Sequence, residues 1–272
     1  MEIRIWIPIS NGENIKMNRI DELFARKKSG VLNIYFTAGY PRADDTLRIA
    51  RALEVAGTDI IEIGIPYSDP IADGPTIQNS SETALEGGMS LKVLMNQLQE
   101  LRRYVKIPVI LMGYINPILQ YGIEQFCVDC KDVGIDGVIL PDLPLQEYQE
   151  MYQVFFEQND LFNIFLITPQ TSVVRIEKID EYSKGFIYMV SSASITGAKQ
   201  AVSDVQIDYF RRVQKMNLKT NKLIGFGISN KETFDNACRF AQGAIIGSAF
   251  INQLNQDASD DAIRSFVSAI KD

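Results

Sequence analysis

The chain has 272 residues, of which 46% are hydrophobic and 22% charged, an ordinary balance for a globular protein with room for one large domain or two small ones. A net charge of −7 and a pI near 4.9 disfavour nonspecific binding to nucleic acid or to an anionic membrane surface. Histidine is absent, which excludes a Ser-His-Asp triad, an HExxH zinc site and any imidazole base; proton transfer must fall to Asp, Glu, Lys, Tyr or Cys.

The opening run MEIRIWIPIS is too short and interrupted for a signal peptide, and no stretch approaches the ~20 apolar residues of a membrane span. A cytoplasmic protein is expected, or one of the plastid stroma if organelle-encoded. There are three cysteines; Cys127 and Cys130 form a CxxC on a helical pattern, and no second pair completes a metal site. They read as ordinary helix residues in a reducing compartment, and no metal is expected.

In chain order, residues 1–17 read as an extension. Asn18–Ser29 follows as an amphipathic helix with Ile20, Leu23 and Phe24 at helical spacing, suited to closing the bottom of a barrel, and Gly30 ends it. A strand spans Val31–Thr37 and stops at a turn at residues 38–41. Asp44 and Asp45 start a helix through Leu47, Ala50, Leu53 and Val55, which Gly57 caps. A buried strand from Asp59 then carries one acid, Glu62, and breaks into a loop of about fifteen residues holding Asp69 and Asp73 among glycines and prolines. Further strands are expected at Pro108–Met112, Gly137–Leu140, Asn163–Ile167, Phe186–Val190, Lys222–Phe226 and Gly243–Ile246. Helical patterns lie between them at Leu91–Arg103, Ile123–Val133, Gln146–Gln158, Ser172–Tyr182, Ser203–Met216, Lys231–Arg239 and Asp257–Ile270.

A helix-Gly-strand phrase recurs: VAGTDII at 55–61, DVGIDGV at 132–138 and, more loosely, AQGAII at 241–246. Eight nearly continuous apolar strands alternating with helices predict a parallel sheet covered on both faces. The expected fold is therefore a (β/α)8 TIM barrel over residues 1–272, a single domain without an internal linker. A doubly wound open sheet is the alternative, but no GxGxxG follows any strand.

Strand alternation sends Ile61 and Ile63 toward the helices and Glu62 into the barrel mouth, where burial raises a carboxyl pKa toward the range useful for proton transfer. A buried ion pair is the competing reading of Glu62, and Asx turns compete for Asp69 and Asp73. Three glycine pieces at strand ends suggest a phosphate site: Gly197 in the SITGA loop, Gly227 after the seventh strand, and Gly247-Ser248 before a short helix at Ala249–Leu254. Tyr35, Tyr114, Tyr188 and Phe226 lie near strand ends and suggest a ring around a flat apolar group, although any one of them alone fits a core.

These segments resemble one family, the tryptophan synthase alpha subunit. IEIGIPYSDPIADGPTIQ at 61–78 is similar to its signature segment. YFTAGYP at 35–41, ILPDLP at 139–144, the SITGA loop, GFGIS at 225–229 and IIGSA at 245–249 follow in the family's order. The resemblance implies a carbon–carbon cleaving lyase of tryptophan biosynthesis, which splits indole-3-glycerol phosphate into indole and glyceraldehyde 3-phosphate. It implies Glu62 as the proton-transfer residue and Asp73 as the carboxylate holding the indole N–H. Tyr35, Tyr114, Tyr188 and Phe226 become indole contacts, and Thr196, Gly197, Gly227, Gly247 and Ser248 substrate and phosphate contacts. Asp69 becomes a residue that signals to a beta subunit.

By the same resemblance the subunit needs no cofactor, pyridoxal phosphate belongs to the beta partner, and an alpha2beta2 heterotetramer passes indole between the two. The interface is expected around the loop after strand two and residues 104–115. One departure is Ser194, where the family usually has glycine. A stand-alone indole-releasing lyase, another phosphate-sugar barrel enzyme and a catalytically dead regulatory subunit remain as alternatives. A Schiff-base aldolase is disfavoured because no strand places an inward lysine near its end.

Overall fold

The computed structural model describes residues 17–191, 204–225 and 227–272. Nine parallel strands form one sheet: β1 Val31–Thr37, β2 Ile60–Gly64, β3 Val109–Met112, β4 Gly137–Ile139, β5 Phe162–Ile164, β6 Leu166–Ile167, β7 Phe186–Val190, β8 Asn221–Gly225 and β9 Gly243–Ile246. Their order is β5-β4-β3-β2-β1-β9-β8-β7-β6. The expected strand Asn163–Ile167 is thus two stretches parted at Phe165, one pairing with β4 and the other with β7. The Phe165 carbonyl accepts the Tyr188 N–H at 2.9 Å, which keeps the two as one stave. Eight staves therefore close into a TIM barrel. The strands are buried along nearly their whole length because helices cover the outside and side chains fill the inside.

The first helix spans Arg19–Arg26 and plugs the barrel bottom. Asn18 caps it by accepting the Ile20 N–H at 2.9 Å, and its amide donates to the carbonyls of Asp136 and Asp160, both at 3.0 Å. Ile20, Leu23 and Phe24 are buried. A Cβ at Gly185, whose φ is +70°, would stand 2.8 Å from Ile20, so the plug seats only against glycine there. Asp136 carries two guanidinium groups, Arg19 at 2.7 Å and Arg102 at 2.6 Å.

The recurring helix-Gly-strand phrase has one mechanical function. Asp59 sits just before β2 and accepts the Leu32 N–H of β1 at 2.9 Å; Asp136 sits just before β4 and accepts the Val109 N–H of β3 at 2.8 Å. Gln242, before β9, accepts the Lys222 N–H of β8 at 2.7 Å. Each satisfies a strand-end donor that the neighbouring stave does not reach.

Several elements differ from expectation. The loop after β2 is shorter, because Pro75–Glu86 is a helix with proline at its first position. Its buried face consists of Ile77, Ser80, Ser81 and Ala84, too polar to show an apolar stripe. Ile115–Tyr121 is also helical, with Pro117 in the first turn, where its missing N–H costs nothing. The helix expected over Leu91–Arg103 is three pieces, Leu91–Gln97, a 3-10 turn at Leu98–Glu100, and Leu101–Tyr104. The Asp45 side chain makes no cap for the helix Thr46–Val55; it pairs with Arg42 at 3.0 Å and Arg48 at 2.9 Å instead. Among the described residues no helix is long and apolar enough to cross a membrane.

Candidate active site

Register builds the site. Tyr35 of β1, Glu62 of β2 and Ile110 of β3 stand side by side, and in a parallel sheet such neighbours share a face. Glu62 is 1% exposed, and its Oε2 accepts the Asn33 amide at 2.6 Å. Burial pushes its carboxyl up to about 8; the Asn33 hydrogen bond opposes the shift and the charge of Asp73 adds to it. Among the described residues its partner is thus an amide rather than the buried cation of the competing reading.

Asp73 stands in the wall above, 6% exposed. The loop folds back on itself to place it: the Asp73 N–H donates to the Pro70 carbonyl at 3.0 Å, and the Gln78 amide donates to the Asp73 carbonyl at 2.9 Å. The Tyr114 hydroxyl donates to its carboxylate at 3.1 Å and accepts the Ala72 N–H at 3.0 Å. Burial raises the Asp73 carboxyl to about 6, against the pull of that Tyr114 bond. The two acids are pushed unequally, so over neutral pH one tends to hold a proton and the other a charge.

Asp73 lies in the wall of a narrow slot that it shares with Tyr35, Ile65, Tyr67, Met112 and Tyr114. The Tyr67 and Tyr114 rings lie 5.1 Å apart. Tyr35 and Tyr188 hold their hydroxyls over glycines: a Cβ at Gly64 would meet the Tyr35 hydroxyl oxygen at 2.1 Å, and one at Gly225 the Tyr188 hydroxyl oxygen at 2.1 Å. Tyr188 faces both acids closely enough for their charges to raise its phenol further above the ordinary value, after burial.

Gly247 packs beside the Tyr35 ring and precedes the helix Ser248–Gln256, longer at both ends than expected. Among the described residues no side chain caps that helix, which leaves the N–H groups of Ser248 and Ala249 open to an anion. Gly227 turns at φ +77°. The next helix, Lys231–Cys238, closes its own start with a capping box between Asn230 and Thr233. Ser229 and Asn230, part of the glycine piece after the seventh strand, are therefore occupied with capping. Thr196, Gly197, Ser194 and Phe226 lie outside the described residues.

Asp69 is exposed, away from the buried pair, and accepts the Ser68 hydroxyl at 2.6 Å. Cys127 and Cys130 are buried free thiols on the helix Ile123–Val133, that of Cys127 pushed up by burial to about 12. Among the described residues no group of His, Cys, Asp or Glu could hold a metal ion. Sequence reasoning missed Asn33, Tyr67 and the Thr37–Ser80 hydroxyl pair, 2.6 Å apart, whose Thr37 oxygen lies 3.4 Å from the Tyr35 hydroxyl. Asn33 carried a usable signal: an amide two residues before Tyr35, on the same inward face of an otherwise apolar strand.

A family model described as "Tryptophan synthase alpha chain" matches residues 22–269. The tryptophan synthase alpha chain of Flavobacterium psychrophilum is 55% identical over 254 residues, covering 93% of this chain and all of that one. That of Flavobacterium johnsoniae is 54% identical over 255 residues, covering 94% and 100%. Among solved structures, the tryptophan synthase alpha chain from Legionella pneumophila superposes with a TM-score of 0.83 at 32% identity, covering 94% of this chain and 97% of that one. An aminoacrylate-bound tryptophan synthase from M. tuberculosis gives 0.82 at 28% identity, covering 93% and 98%.

Proposed function

Because this chain belongs to the tryptophan synthase alpha chain family, lyases of tryptophan biosynthesis that cleave indole-3-glycerol phosphate, we propose that Glu62 and Asp73 are its reacting pair. What supports this most directly is the burial of the two carboxyls together, one held near 8 and the other near 6.

The step is a retro-aldol cleavage. Protonated Glu62 gives its proton to indole C3, and the ring nitrogen takes positive charge, which the Asp73 carboxylate stabilises in a site with little water. The Glu62 carboxylate then takes the proton of the C3′ hydroxyl. The O–H electrons form the carbonyl, the C3–C3′ bond breaks, and its electrons restore the indole ring. Glu62 ends protonated, and the products are indole and glyceraldehyde 3-phosphate. Tyr35, Tyr114, Tyr188 and Phe226 line the indole; Thr196, Gly197, Gly227, Gly247 and Ser248 hold the rest of the substrate and its phosphate. That remote anchor positions the reacting bond.

The family works with a beta subunit, and its alpha chain does not itself bind pyridoxal phosphate. For this chain we place pyridoxal phosphate in the beta partner, an alpha2beta2 assembly in a cytoplasm, and Asp69 at the surface that senses the partner. Its exposure on the active face, in the loop that carries Asp73, favours that assignment.

The test is release of indole from indole-3-glycerol phosphate, with and without the cognate beta chain. Glu62→Gln is expected to lower cleavage by about 10²–10⁴-fold while circular dichroism stays unchanged. Wild-type cleavage should rise as Asp73 ionises and fall as Glu62 loses its proton. Near-normal turnover in Glu62→Gln would overturn the assignment.

A further inference from the structure

Asn33 is fully buried on β1, inside the barrel, two residues before Tyr35. Its amide nitrogen donates to Glu62 Oε2 at 2.6 Å, while its own Oδ1 is buried with no hydrogen-bond partner among the described residues. A buried carbonyl without a hydrogen bond is a standing cost to the fold. An apolar residue at this position would avoid it in a strand whose other side chains are mostly apolar. Among the described residues the amide bonds to the acid, so its orientation is set by Glu62.

We propose that Asn33 is a positioning residue for Glu62: its N–H holds Oε2, which assigns the transferred proton to Oε1. The inference rests on the reading of Glu62 as the proton carrier. An amide N–H only donates, so an oxygen that already receives it is the poorer site for a proton. A carboxyl free to rotate would present either oxygen to the substrate; one pinned at Oε2 presents the same oxygen to indole C3 and then to the C3′ hydroxyl.

Among the described residues three other groups face Glu62. Tyr35 comes from β1, Asp73 from the loop after β2 and Tyr188 from β7, while Ile110 of β3 adds only apolar surface. Tyr35 and Tyr188 are phenols held above their ordinary range and stay neutral at working pH; Asp73 repels the carboxylate. Asn33 is thus the neighbour that favours the ionised form through a direct bond.

Asn33→Leu removes the donor at similar volume. With the cognate beta chain present, kcat for cleavage of indole-3-glycerol phosphate at neutral pH should fall at least about tenfold, with KM within about twofold. The alkaline limb of the kcat profile should move up by about one pH unit, because the carboxylate has lost a charge-assisted hydrogen bond. Asn33→Ser keeps a hydroxyl donor and should return the limb most of the way. In the ligand-free chain, the ¹³C-glutamate resonance that disappears in Glu62→Gln should titrate higher in Asn33→Leu than in wild type.

An unmoved resonance and limb would overturn the proposal, as would a moved resonance with kcat unchanged. If Asn33→Leu does not fold, Asn33→Val reads the same quantities. If Glu62→Gln keeps its activity, the functional reading fails instead, and the resonance still decides whether Asn33 governs Glu62.

Discussion

A carboxyl group at 1% exposure with no cation beside it among the described residues is an expensive residue, and at Glu62 the cost takes a measurable form. The folded protein holds the proton up to about pH 8, whereas an unfolded glutamate releases it near 4.5. This group's contribution to stability is therefore complete below the unfolded value and is lost as the pH rises through about 8. Asp73 acts in the same direction between 3.8 and about 6. In Glu62→Gln that loss disappears: the melting temperature of the variant relative to wild type should rise between about pH 5 and pH 8 and show no trend below about pH 4. Parallel melting curves across that range would mean that Glu62 is not held protonated. Glu62 and Asp73 could be named from the sequence, because an acid in an apolar strand and an acid in a proline-rich loop both break a pattern. Asn33 breaks the same pattern, but an uncharged amide stands out less.

At the scale of the element, the helix starts at the C-terminal end of the barrel divide the work. Lys231–Cys238 satisfies its own first turn through Asn230 and Thr233, whereas Ser248–Gln256 begins bare after Gly247. Only the second has N–H groups and positive dipole end free for an anion. Ser248→Asp separates the two consequences. A carboxylate in the first turn should leave the melting temperature unchanged or raised, worth about 0.3–1 kcal/mol to the helix. It should also raise KM for indole-3-glycerol phosphate at least about tenfold by repelling the phosphate. An unchanged KM would move the phosphate elsewhere. Element identity was only partly legible. The helix Pro75–Glu86 hides behind serines on its buried face, and Ile115–Tyr121 behind a first-turn proline.

For the whole molecule, closure depends on the barrel bottom as much as on the strands. Asp136 links the plug helix through Arg19, the outer layer through Arg102, and β3 through the Val109 N–H. Asp136→Ala strands two guanidinium groups that are each about four-fifths or less covered, and one strand-end N–H. The expected loss is about 3 kcal/mol in urea unfolding, without change in the cleavage chemistry at the opposite end. A loss below about 1 kcal/mol would assign closure to apolar packing of Ile20, Leu23 and Phe24 alone.

The sequence by itself determined the class of fold and which acids to propose for the site. Strand and helix periodicities are local, the helix-Gly-strand phrase repeats, and a charge in an apolar strand is visible without coordinates. What only the tertiary structure decided is which residues meet. That Asn33 holds Glu62, that Tyr114 holds Asp73, and that the helix after Gly247 starts without a side-chain cap beside Tyr35 while Lys231–Cys238 is self-capped all depend on register between staves far apart in the chain. Such distances are fixed by closing the barrel, and no local pattern encodes them.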